Sequence, residues 1–234
     1  MIFPVQPLGT NVAALKTASA GTGVILDAQG VVENNAHLGA TTVNYTGITV
    51  GSVTHGALVL AVEFNLKLVS AITAVWDAGG TNQSMTEIGH QASSATPYGL
   101  VYLFGLVAPT AGNKTLTMSW TTNSEFGMNA ISIGNVDQTG GGTSFANVVT
   151  ADLTGTIPTV TVTSNSNDAV VGVFSLGNNV NNIGAPDNTQ LMFDNAGAVG
   201  YAANWATGAA TVTLSCTAGA NAPYAAIGCD IVAG

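Results

Sequence analysis

The chain has 234 residues, 47% of them hydrophobic and only 6% charged, where an ordinary globular protein is about a quarter charged. The net charge is −9, there is no arginine, and the lysines Lys16, Lys67 and Lys114 stand far apart. Nucleic-acid binding needs clustered cations to neutralise phosphates, and an anionic membrane surface needs a polybasic patch, so neither is an expected partner.

No run approaches the ~20 apolar residues of a spanning helix. Residues 1–7 have neither the basic stretch nor the apolar core of a secretory signal. The expectation is therefore a chain complete from Met1 and made in a cytosol. A polypeptide so poor in charge either coats itself with Thr, Ser and Asn or gives much of its surface to neighbours.

Residues 1–40 are broken by Gly9, Gly21, Gly23, Gly30 and Gly39. They read as an N-terminal arm, or as a pair of extra strands around Val24–Leu26 and Val31-Val32. From residue 41 short runs rich in Val, Ile and Thr alternate with Gly, Asn and Ser clusters, the pattern of an all-β sandwich or barrel. Strands are expected at 42–45, 49–53, 57–64, 72–76, 85–89, 99–106, 115–120 and 128–134. The turn formers Asp77-Ala78-Gly79-Gly80 and Pro109-Thr110-Ala111-Gly112-Asn113 separate some of them. Leu116, Met118 and Trp120 share one face of their strand, and Thr115, Thr117 and Ser119 share the other. Gly140-Gly141-Gly142 cannot sit in a strand interior without large cost, which makes 139–150 a Gly-rich linker between a first sandwich at 41–138 and a second at 151–234. Strands of the second are expected at 159–163, 169–175, 190–193, 199–205, 210–216 and 224–232. The Asn-rich 178–182 reads as an exposed loop, and no stretch has helical apolar spacing with a cap and a stop.

The two sandwiches are copies. Thr115-Leu116-Thr117-Met118-Ser119-Trp120 aligns with Thr211-Val212-Thr213-Leu214-Ser215-Cys216, and without a gap Ile131-Ser132-Ile133 falls on Ile227-Gly228-Cys229, an offset of 96 residues. A looser match sets Ala57-Leu58-Val59-Leu60-Ala61-Val62 against Ala169-Val170-Val171-Gly172-Val173-Phe174. In this reading Ile131/Ile133 and Ile227/Cys229 face the first-named strands. Trp120 and Ile133 form a core pair, matched in the second copy by Cys216 and Cys229. The two sulfurs are either buried thiols filling core space or a disulfide across the turn 221–223.

Catalytic chemistry is not expected. His37, His55 and His90 have no metal-ligand spacing to one another or to a cysteine, and there is no Gly-x-Ser-x-Gly elbow. Asp77 with Glu87, and Asp187 with Asp194, flank loops and are the weak calcium candidates; solvated loop carboxylates are the competing reading. No cofactor is expected. Tyr98, Tyr102, Phe104 and Phe126 are the aromatics available for a sugar-binding face, although Tyr102 and Phe104 share one strand face and read as core. The sequons at Asn44, Asn82 and Asn113 are of the kind chance supplies in a Ser/Thr-rich chain.

The run Gly56–Val62, then Ile72–Gly80, then Tyr102–Trp120, resembles jelly-roll-type β-sandwich modules of tailed-phage structural proteins and of some bacterial surface proteins. That resemblance spans residues 41–234 and implies virion decoration, tail or fibre structure, or surface adhesion, with no catalytic residues to carry over. The resulting expectation is a non-enzymatic exterior capsid-decoration or tail/fibre component. Its partners would be the major capsid or tail protein and copies of itself, a trimer among them, and its location the virion. The alternatives are a secreted or cell-surface adhesin or glycan-binding module, and the subunit of an extracellular filament.

Overall fold

The computed structural model describes residues 23–34, 40–65, 69–95, 99–176, 183–194 and 200–234. The first copy supplies β1 (Ile25–Gln29), β2 (Glu33–Asn34), β3 (Ala40–Tyr45), β4 (Thr49–Val50), β5 (Ala57–Phe64), β6 (Thr73–Trp76), β7 (Gln83–Ser84), β8 (Thr86–Ala92), β9 (Leu100–Val107), β10 (Gly112–Asn113), β11 (Leu116–Ser124) and β12 (Phe126–Gly134). One helical turn, α1 (Gly141–Ser144), leads into the second copy. That copy supplies β13 (Phe145–Gly155), β14 (Thr159–Val162), β15 (Ala169–Ser175), β16 (Thr189–Asp194), β17 (Tyr201–Thr207), β18 (Val212–Ser215) and β19 (Ala222–Ile231). The protein is all-β, and the registered strand pairs are antiparallel.

Each copy is a large sheet backed by a smaller one. The first large sheet has the order β1-β12-β5-β9-β8, with β2 also on β12, and its outer sheet is β3-β11-β6-β7. The second large sheet runs β13-β19-β15-β17-β16 and is backed by β14-β18. The two large orders coincide strand for strand, so the duplication holds at the level of topology. The ladders also fix the equivalences. Ala57 lies opposite Ile133, and Ala169 opposite Ile231, which relates β5 to β15 by 112 residues and β12 to β19 by 98. The ungapped sequence offset is two residues off for the latter pair; side chains alternate with period two, so the slip leaves every face assignment unchanged.

The large sheets pack against each other, and this stacks four layers: outer sheet, large sheet, large sheet, outer sheet. Three cores fill the gaps. Leu58, Leu60, Val62 and Phe64 of β5 point to an outer core with Trp76, Leu116, Met118 and Trp120. Ala57, Val59 and Ala61 of the same strand point the other way, into a central core with Val171, Val173, Tyr201 and Ile227. Val160, Phe174, Leu214 and Cys216 make the third core. β5 is buried along its whole length because both of its faces are covered, which is why it reads as an apolar run broken only by Glu63. At ~10 Å per layer gap the stack is about 30 Å between its outermost sheets.

Strand order reverses across the central layer. Asn129 of β12 donates to the Leu191 carbonyl of β16 at 2.6 Å, while Gly89 of β8 abuts Ile227 of β19 and Val148 of β13. The copies are thus related by an approximate two-fold axis running along the strands, the arrangement of an isologous dimer within one chain. Rings of the second copy fill glycine holes in the first. A Cβ on Gly105 would lie 2.4 Å from a Phe145 ring carbon, and one on Gly127 would lie 2.2 Å from Tyr201 Cζ.

Three expectations are corrected. Ile133 and Cys229 belong to the central core and Trp120 and Cys216 to the outer ones, so neither pair packs as a unit. β18 pairs with β14 and β19 with β13 and β15; the chain changes sheet between the two cysteines, which are both free. Half of the linker at 139–150 is strand: after α1, β13 starts at Phe145 and forms the edge of the second large sheet. Upstream, β1 and β2 both pair with β12, as extra strands would; the first 22 residues lie outside the described residues.

Candidate functional site

Loops at the ends of the sandwiches and the seams between sheets hold the residues singled out in the sequence. His55 sits at φ 47° in the turn ahead of β5 and borders a shallow cleft with Ser52, Thr54, Pro109 and Gln138. Behind it Asp137 is held below the usual carboxylate range, first by the Thr139 backbone N–H and then by hydrogen bonds from Thr139 and Ser144 and the nearby His55. His90 lies on edge strand β8. Its Nδ1 is 2.6 Å from Glu87 Oε1 and its ring stacks on Tyr102, centroids 4.8 Å apart. The carboxylate orients the ring, as in a catalytic dyad, but the arrangement as it stands is an exposed hydrogen-bonded pair lying against the Tyr102 ring. His37 lies outside the described residues.

The acidic candidates are dispersed. Asp77 follows β6, accepts from the Thr81 N–H and hydroxyl, and sits 3.5 Å from Lys114 Nζ. Those two hydrogen bonds, then the lysine charge, keep its carboxyl below its ordinary range. Glu87 is engaged by His90. Asp187 accepts from the Ser215 hydroxyl. Asp194 closes β16 opposite Tyr201, and its side chain lies outside the described residues. Among the described residues no three of His, Cys, Asp and Glu converge as metal ligands do. Tyr102, Phe104 and Phe126 are buried in the first outer core, the first two stacked on each other and Phe126 edge-on to Trp120, so they offer no sugar-binding row; Tyr98 lies outside the described residues. No helix among the described residues is long and apolar enough to cross a membrane.

The structure brings forward two polar groups that the sequence reading passed over. Ser175 Oγ donates to Glu63 Oε1 at 2.6 Å across the central layer, where both residues are fully buried. At one end of the second copy, buried Asp230 accepts from Ser164 Oγ at 2.6 Å, close to buried Asp168. Desolvation raises the Asp230 carboxyl, and the Asp168 charge adds to the rise. One signal was available in the sequence: a lone carboxylate inside an apolar run, as in Ala57–Phe64 and in Ala222–Ile231.

The outermost surfaces are chemically plain. On the first outer sheet Thr42 Oγ1 donates to Ser119 Oγ at 3.3 Å and Thr117 Oγ1 to Asn44 Oδ1 at 2.8 Å; on the second, Thr161 and Thr213 hydroxyls pair at 3.1 Å. Compared with protein-family models, curated proteins and solved structures, the chain gives no significant match in any of the three. Fold and surface together define an all-β protein of two stacked antiparallel sandwiches with hydroxyl-lined outer faces.

Proposed function

We propose that this chain is a non-enzymatic structural protein of a virion, an exterior capsid-decoration component, or otherwise a tail or fibre component, of a tailed phage. The observation that carries the reading is the pair of Thr/Ser/Asn-lined outer faces, which point away from each other at the two ends of the stack. Such faces cost little to desolvate, since they hold few charges and their hydroxyls already pair with one another. They suit broad docking onto the major capsid or tail protein and onto further copies of the chain.

Edge geometry supports contact through faces over contact through edges. The outer strands of both large sheets, β1, β8, β13 and β16, each carry a register break, between Leu26/Ala28, Glu87/Gly89, Ala146/Val149 and Gln190/Met192. Bulges twist an edge away from a partner strand and oppose sheet extension. This weighs against a filament built by strand addition. An adhesin or glycan-binding module remains the second reading, though burial of the aromatic candidates favours it less.

The test is the composition of purified particles. The reading expects the chain in intact virions at fixed stoichiometry, and purified chain rebinding to particles stripped of it. Finding it only on the cell surface or in a glycan-bound fraction would replace the virion with the adhesin.

A further inference from the structure

The end of the stack where the chain enters the first large sheet is tied together by one hub. Val24 N donates to the Asn167 carbonyl at 2.7 Å, and Asn135 Nδ2 to the Gly23 carbonyl at 3.0 Å. Asn167 belongs to the turn between β14 and β15. Asp168 holds that turn: its Oδ2 accepts from the Asn165 backbone and side chain at 3.1 and 2.8 Å, and its Oδ1 accepts from Ala233 N at 2.8 Å. The Asp168 carbonyl also accepts from Gly208 N at 2.7 Å. The start of β1, the crossing between copies and the last residues of the chain therefore meet at a single turn.

Asp230 sits under this turn on β19. Ser164, at the turn's own start, donates to its Oδ1, and Asn147 of β13 reaches its Oδ2 at 3.4 Å. Ser164 and Asn147 carry no charge. The titratable neighbours are Cys229 on the same strand, whose thiol burial pushes up, and Asp168 from the turn ahead of β15. Among the described residues no Lys or His ion-pairs with either carboxylate. Two buried carboxylates thus share a site with nothing positive between them, and like charges in such a place oppose joint ionisation.

We propose that Asp168 and Asp230 form a pH-responsive latch, closed while Asp230 is uncharged and loosened when both carboxylates ionise, which frees the turn's hold on the start of β1. Asp168 accepts structural bonds on both of its oxygens, and Asp230 is the member whose carboxyl burial raises, so the latch is assigned to the titration of Asp230. The raised Asp230 carboxyl sets the sign: the latch is tight in acid and relaxes as pH rises through the Asp230 titration. The inference is independent of the virion reading, and concerns only how firmly β1 and the chain before it are held.

The experiment is amide hydrogen exchange on the full chain across the acidic to neutral range, corrected for intrinsic rates, with the Asp230 carboxyl carbon titration followed by NMR. Protection of the Val24, Asn165, Gly208 and Ala233 amides should be lost as pH rises, with the same midpoint as Asp230, while Val171 in the central core is unaffected. Asp230→Asn should abolish this pH dependence and keep the acid level of protection. If that variant does not fold, Asp168→Asn, which keeps an accepting oxygen for Ala233 and leaves Asp230 to ionise alone, should likewise abolish the pH-dependent loss. Protection that does not vary with pH, a midpoint unlike that of Asp230, or an unchanged profile in either folded variant overturns the latch.

Discussion

Ser175 donates to Glu63 across the central layer at 2.6 Å, and each of these residues is the other's counterpart in the duplication. Glu63 pairs with Gly127 and Val101 in its own sheet, as Ser175 pairs with Ala225 and Tyr201. In a two-fold arrangement a residue that meets its own counterpart lies on the axis, so this contact marks where the copies turn about each other. The contact joins a donor of one copy to an acceptor of the other. Ser175→Ala strips that donor from a fully buried carboxyl and should cost about 1–3 kcal/mol by chemical denaturation. The double variant with Glu63→Leu should lose less than the sum of the two single changes, because the polar requirement vanishes with both partners. Strict additivity would mean the bond contributes nothing to docking.

Ring-in-hole packing makes the glycines of the first copy sensitive. Gly105→Ala and Gly127→Ala set a methyl group inside the Phe145 and Tyr201 rings, a clash expected to cost about 1–3 kcal/mol each. Pairing Gly105→Ala with Phe145→Leu should recover part of that loss. Thermal unfolding of these three variants reads the outcome, and a neutral Gly127→Ala would mean that Tyr201 is not seated as described.

Both thiols are shut away. Burial pushes the Cys216 and Cys229 thiols well above their ordinary range, with Asp187 and Asp230 respectively adding to it. A buried thiol that ionises so reluctantly is a poor nucleophile. Neither should react with a thiol reagent in the native protein at mildly alkaline pH, and both should react after unfolding. Fast labelling of either one without unfolding contradicts its placement.

Acid acts on the loop carboxylates in the opposite sense to Asp230. Asp77 and Asp137 are held below their ordinary range, chiefly by hydrogen bonds from Thr81 and Thr139. Their contribution is present above the unfolded-state value and is lost as pH falls through the folded one. Asp77→Asn should therefore lower the denaturation midpoint near neutrality and flatten the acid side of its plot against pH, with little change in strong acid. An acid limb as steep as that of the parent would place the sensitivity elsewhere.

Much of this fold is legible in the sequence, because alternation reports strands and faces directly. The inward set Leu116, Met118 and Trp120 is buried as its spacing requires, and strands fall where Val, Ile and Thr cluster. Alternation is silent on what covers each face. Ile133 and Trp120 both point inward from their strands, but only the path of the chain between sheets reveals that they enter different cores. β13 escaped for a related reason: as an edge strand with polar residues on its open sides, Phe145–Gly155 lacks the apolar run of its neighbours. The Asp168–Asp230 hub joins residues distant in sequence and left only a lone acid in an apolar strand as a clue.

The account rests on the two sandwiches sharing one central core and behaving as one body. The segment between them is bound to both: Asn135 N and Val136 N donate to Thr54 and His55 carbonyls of the first copy, and Asp137 N to the Val232 carbonyl of the second. Native-state hydrogen exchange at rising denaturant, followed on peptides from β5 and β15, measures this directly. The two strands should converge on one opening free energy with one denaturant dependence. If β15 opens and exchanges while β5 stays protected, the copies are separate units and the shared core is wrong.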